Sequence, residues 1–88
     1  MSKFELQGTR LLRVWMQNES LTRRNAASRL GVGLATLDSW VQGLRRPGLF
    51  AARVIEEASS GLVKADDWLT GDELAQVRSA GRTSQAPS

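Results

Sequence analysis

The sequence predicts an all-α fold, a compact bundle of about five helices. Three observations point there. Apolar residues recur at i, i+3 and i+4 in successive segments, glycines stand at the ends of those segments, and capping residues stand at their starts. With 88 residues the chain has room for one domain with a modest core and none for a second. We place that domain at residues 1–80, with a disordered tail at 81–88.

The elements follow in order. Ser2 followed by Glu5 has capping-box spacing, and Phe4, Leu11, Leu12 and Trp15 share one helical face. These predict a first helix within residues 3–18, with Gly8 expected to break its first turn. Thr22 is a suitable N-cap for a second helix with Ala26, Ala27 and Leu30 inward, and Gly31 stands where such a helix ends in the left-handed conformation. A third helix spans 34–42, with Leu37, Trp40 and Val41 inward and Gly43 as its stop. Pro47 opens a fourth, whose apolar stripe is Ala51, Val54, Ile55 and Ala58, before Gly61 ends it. Thr70 and Glu73 repeat the capping-box spacing and predict a short last helix carrying Leu74 and Val77. The final "GRTSQAPS" is small and polar, as a disordered tail is.

Composition excludes several functions. The chain has no cysteine and no histidine, so disulfides, thiolate metal sites, cysteine nucleophiles and the commonest general base are absent. The adjacent acids Glu56 with Glu57 and Asp66 with Asp67 point in different directions on a helix, and are read as solvated or capping groups. No enzymatic constellation is present, and no cofactor or metal is implied. Apolar runs are too short to cross a bilayer, and "MSKFELQG" lacks the apolar stretch of a signal peptide, so a cytoplasmic location is expected.

Charge is distributed unevenly. Residues 1–53 carry nine basic and three acidic side chains, a balance of +6, whereas residues 54–88 carry three basic and six acidic ones, a balance of −3. Basic residues gathered in one part of a small protein are the footprint of a polyanion binder. The segment 22–40, "TRRNAASRLGVGLATLDSW", adds geometry to that charge. Two helices joined by a short glycine-containing turn and packed steeply make a helix-turn-helix. Ala27 supplies the small residue at the crossing and Gly31 the unhindered turn residue four positions later. Leu30, Val32, Leu37 and Trp40 fill the space beneath the turn.

"LTRRNAASRLGVGLATLDSWVQGLRRP" resembles the helix-turn-helix of the lambda-repressor-like group, which includes phage repressors, Cro-type proteins and many bacterial regulators and antitoxins. The following "ARVIEEASSGLVKADDWL" is similar to the segment after the motif in the Cro-like and YdaS-type branch, where a helix ends in glycine and a short helix follows. The resemblance covers residues 21–69. It implies a sequence-specific double-stranded DNA-binding regulator, a repressor or autoregulator of phage or mobile-element type, held at the nucleoid of a prokaryotic cell. The chain departs from the pattern at Arg23 and Leu34, where glutamines are usual, and at Gly33, where serine or threonine caps the recognition helix. No operator preference carries over.

A recognition helix of nine residues is about 14 Å long and fits a major groove with its N-terminal end toward the bases. Its outward set is Leu34, Ala35, Thr36, Asp38, Ser39 and Gln42. Thr36 and Ser39 suit several bases, and Leu34 and Ala35 suit thymine methyls. Asp38 either accepts from cytosine N4 or repels phosphate to reject wrong sites. Phosphate contacts are expected from Thr22, Arg23 and Arg24 at the second helix's N-terminus and from Arg45 and Arg46 in the loop beyond the third. Trp15, Trp40 and Trp68 are expected in the core rather than stacked on bases.

Single modules of this kind reach few bases. A homodimer on a two-fold site, with half-sites about 34 Å apart, is therefore expected. Leu62, Trp68, Leu69, Leu74 and Val77 are its candidate surface unless they close the core. A second reading keeps the fold as a protein-interaction module, in which Leu34, Ala35 and Leu44 dock on a toxin or RNA polymerase.

Overall fold

The computed structural model describes the backbone of residues 5–84 and the side chains of residues 5–80. Among them are five α-helices and no strand: α1 (Gln7–Asn18), α2 (Arg23–Leu30), α3 (Leu34–Val41), α4 (Leu49–Ala58) and α5 (Gly71–Ser84), with a 3-10 turn (Ala65–Trp68) between the last two. The expected contributions of Ser2 and Phe4 to the first helix lie outside the described residues.

Four helices end in the same way. The chain turns left-handed and an N–H bonds back five residues to a carbonyl, which satisfies backbone groups the helix leaves open. Val32 donates to Ala27 at 3.0 Å and Leu44 to Ser39 at 2.9 Å, across Gly31 and Gly43 with φ of 71° and 77°. Leu21 donates to Met16 and Gly61 to Glu56, both at 2.8 Å. At these two ends a serine takes the left-handed position, Ser20 with φ 54° and Ser60 with φ 55°. Gly61 also has positive φ, one residue later than the end it was expected to make.

Helix starts follow the caps. Thr22 Oγ1 accepts from Asn25 N at 3.0 Å. Thr70 and Glu73 form a reciprocal box, Thr70 N donating to Glu73 Oε1 at 2.8 Å and Glu73 N to Thr70 Oγ1 at 3.1 Å. Pro47 is buried ahead of α4, which begins two residues later behind Gly48.

Leu12, Leu37, Ile55 and Val63 are completely buried, and Trp15, Trp40 and Trp68 join them in one core with Ala26, Ala27 and Leu30. At about 25 cal/mol per Å² of apolar surface removed from water, such side chains stabilise the fold by about 1.5–3 kcal/mol each. Gly8 does not break α1. It is buried inside the first turn, where a Cβ would lie 2.7 Å from Cε2 and Cε3 of Trp68. The glycine is thus required by the close approach of an indole to the helix backbone.

Two expectations about the C-terminal end change. Residues 81–84, assigned to a disordered tail, continue α5 as helix. Val77 is 50% exposed, and residues 75–80 are exposed throughout, because α5 leaves the bundle after half-buried Leu74. The adjacent acids do act as caps: Asp67 Oδ2 accepts from Lys64 N at 2.8 Å and Glu56 Oε1 from Ala65 N at 3.4 Å.

Candidate nucleic-acid interface

α2 and α3 pack on each other through Ala26, Ala27, Leu30, Leu37 and Trp40, all buried, with half-buried Val32 in the turn between them. With Leu37, Trp40 and Val41 turned inward, the opposite side of α3 faces solvent. Leu34, Ala35, Thr36 and Gln42 are exposed there, and Asp38 and Ser39 are half-buried. The helical repeat alone places these six on one outward arc.

The polar members of this arc are already oriented. Ser39 Oγ donates to Thr36 O at 2.7 Å. Its proton is committed to the helix, so toward solvent it offers lone pairs and suits a donor such as an amino group. Asp38 Oδ1 accepts from Arg23 Nη1 at 3.1 Å, which joins the first turn of α2 to the middle of α3. Gly33 supplies no side-chain cap to α3. The first-turn N–H groups of α3 therefore remain for water or an anion.

Arginines bracket the arc. Arg23 lies on the α2 edge through its contact with Asp38. Arg45 lies on the other edge, lining a polar cleft of about 490 Å³ together with Ala35, Thr36, Ser39 and Arg46. The side chains of Arg24, in the first turn of α2, and Arg45 make no hydrogen bond or ion pair with other described residues, so both guanidinium groups are available to a ligand.

Arg46 differs from its neighbour, and its expected role as a phosphate grip is revised accordingly. Its Nη1 and Nη2 donate to the two carboxylate oxygens of Glu73 at 2.6 and 2.8 Å, and Nη1 also donates to Trp68 O at 3.0 Å. This two-pronged pairing anchors the start of α5 to the loop after α3. The Arg46 guanidinium, with the Thr70 N–H, holds the Glu73 carboxyl down at about 2, and Glu73 in turn raises the pKa of Arg46. Thr22 is likewise engaged as an acceptor at the N-terminus of α2, which leaves only its hydroxyl proton for a phosphate.

Sequence reasoning did not identify Arg13. Its Nη1 donates to Val41 O at 2.8 Å and its Nη2 to both oxygens of Glu5 at 2.6 Å, which caps the C-terminal end of α3 from α1. A cation at a helix C-terminus complements the dipole. No local signal announces a contact made between residues 28 positions apart.

Of the other expected surface residues, Leu34 is 40% and Leu44 72% exposed. Trp68, counted among candidate dimer residues, is closed into the core. No helix among the described residues is long and apolar enough to cross a membrane. Compared with known proteins, the chain matches no family model, no curated protein and no solved structure.

Proposed function

We propose that α2, its turn and α3 form a helix-turn-helix of lambda-repressor-like type, and that the protein is a sequence-specific double-stranded DNA-binding regulator. The observation that carries this reading is the outward arc of α3 with Arg23 on one edge and Arg45 on the other. In a major groove, Thr36, Ser39 and Gln42 read base edges by hydrogen bonds, and Leu34 and Ala35 touch thymine methyls. Arg24 and Arg45 grip phosphates on either side, and Arg23 joins them when it leaves Asp38. Asp38 then has two uses: it accepts from cytosine N4, or it restrains Arg23 until a duplex competes for it.

The reading is of a binding protein rather than an enzyme, acting on the nucleoid as a repressor or autoregulator of phage or mobile-element type, as a pair of copies on a two-fold site. Selection from random duplex DNA, followed by affinity measured across salt concentrations, tests it. The expected result is an enriched two-fold motif whose binding weakens steeply with salt. No enrichment, or no loss of affinity in Arg24→Ala and Arg45→Ala, overturns it.

The exposure of Leu34 and Leu44 favours a second reading, in which the same face docks on a protein such as a toxin or RNA polymerase. Leu44→Asn separates the two: it removes the apolar contact and so weakens protein docking, and, being uncharged, leaves the salt slope of DNA binding unchanged.

A further inference from the structure

The two most exposed large apolar side chains among the described residues, Leu49 and Phe50, are both on α4. Phe50 is 83% exposed. Along the helix it is followed at i+4 by Val54 and at i+8 by Ala58, so the three form one stripe. With Arg53 and Glu57 they line a shallow apolar trough of about 470 Å³. The fully buried residues of the same helix are Ala52 and Ile55. Val54 and Ala58 are half-buried against the core, so Phe50 is the member of the stripe that the bundle leaves in water. An aromatic side chain left in water forgoes the burial that makes such residues the anchors of interfaces.

The charges beside the stripe specify what covers it. Arg53 and Glu57 are four residues apart on the same flank, and among the described residues neither side chain has a hydrogen-bond or ion-pair partner. They do not pair with each other, in keeping with the less favourable basic-before-acidic order along a helix. A two-fold axis that sets two copies of α4 antiparallel keeps each flank against its own counterpart and reverses its direction. With the axis beside Val54, Val54 meets its twin and Phe50 lies over Ala58, and Arg53 and Glu57 of the second copy are offset by about 3 Å along the helix, within reach of two long side chains. A parallel arrangement would leave both charges without a partner.

We propose that a second copy of this chain covers the α4 face, through an antiparallel α4 pair held by Phe50 and Val54 and registered by reciprocal Arg53 and Glu57 contacts. Interfaces of this kind are isologous, and self-complementarity is what they require. The inference does not rest on DNA binding, and its test contains no DNA.

Sedimentation equilibrium of the full chain measures it. The wild type is expected to dimerise. Phe50→Asp is expected to raise the dimer Kd about thirtyfold or more, as removal of an aromatic anchor does. Arg53→Glu and Glu57→Arg are each expected to raise it roughly tenfold, and the double reversal to return it to within about threefold of the wild type. Since all three side chains are peripheral to the core, helical circular dichroism and melting temperature are expected to hold. A wild-type chain that stays monomeric overturns the proposal. So does a double reversal that adds the two single losses instead of cancelling them, or a dimer that survives Phe50→Asp and is broken by Val77→Asp on α5.

Discussion

Arg23 Nη1 stands 3.1 Å from Asp38 Oδ1 and so ties the start of α2 to the outward face of α3. Both residues were expected to touch DNA, one as a phosphate contact and one at the bases. Their pairing makes each the other's competitor.

Asp38→Asn releases Arg23 to the phosphate backbone. We expect higher affinity for non-specific duplex and a salt slope steeper by about 0.9, the increment for one further phosphate contact. Discrimination between operator and random DNA narrows. Stability changes by less than about 1 kcal/mol, as it does for exposed ion pairs. A slope unchanged in both Asp38→Asn and Arg23→Ala would mean that Arg23 never reaches the backbone.

Arg45 and Arg46 are adjacent in sequence and differ in use. Arg45→Ala should lower the salt slope by about 1 without altering the fold. Arg46→Ala should leave the slope alone and loosen α5, since it removes the group that holds Glu73 and the Trp68 carbonyl. Hydrogen exchange across residues 71–76, set beside filter-binding salt titrations, distinguishes the two. Equal slope losses from both substitutions would contradict the assignment of Arg46 to α5.

Glu73 gives the same contact a pH signature. Its carboxyl is lowered from an ordinary value of 4.5 to about 2, so folding favours the ionised form. That contribution is fully present above pH 4.5 and is lost as pH falls from there through 2. Urea denaturation of wild type and Glu73→Gln should differ most near neutral pH and converge between those limits. Stability curves that stay parallel down to pH 2 would show that the carboxylate does not sense Arg46.

Gly8 should be intolerant of alanine despite its helical position. Alanine gains up to about 1 kcal/mol of helix propensity. The added methyl, however, would lie 2.7 Å from Cε2 and Cε3 of the buried Trp68 ring. Overpacking of this kind costs about 1–3 kcal/mol, so the net effect should be destabilising. In a Trp68→Ala background the penalty should vanish and the sign reverse, a coupling that a double-mutant cycle reads directly. Additive effects in that cycle would remove the indole as the cause.

Much of the architecture was legible one residue at a time because its causes are local. Thr22 caps α2 and Thr70 with Glu73 caps α5 because each bond closes within three residues. Gly31 and Gly43 end α2 and α3 because only a residue without Cβ turns left-handed at little cost. The spacing of Leu37, Trp40 and Val41 settled which side of α3 is buried, and thereby which six residues face outward. The same rules misread Gly8, whose neighbour lies 60 positions away in the chain and leaves no trace in the helical pattern.

The amino-acid sequence by itself determined the succession of helices, the caps of α2 and α5, the glycine ends of α2 and α3 and the outward arc of α3, since those follow from periodicity and from bonds between near neighbours. Only the tertiary structure decided how the arginines are divided. Arg24 and Arg45 stay open, Arg23 is shared with Asp38, Arg13 caps α3 and Arg46 holds α5. A guanidinium on a long side chain goes to whichever acceptor the packed helices bring within hydrogen-bond reach, and that choice is made by the meeting of distant segments.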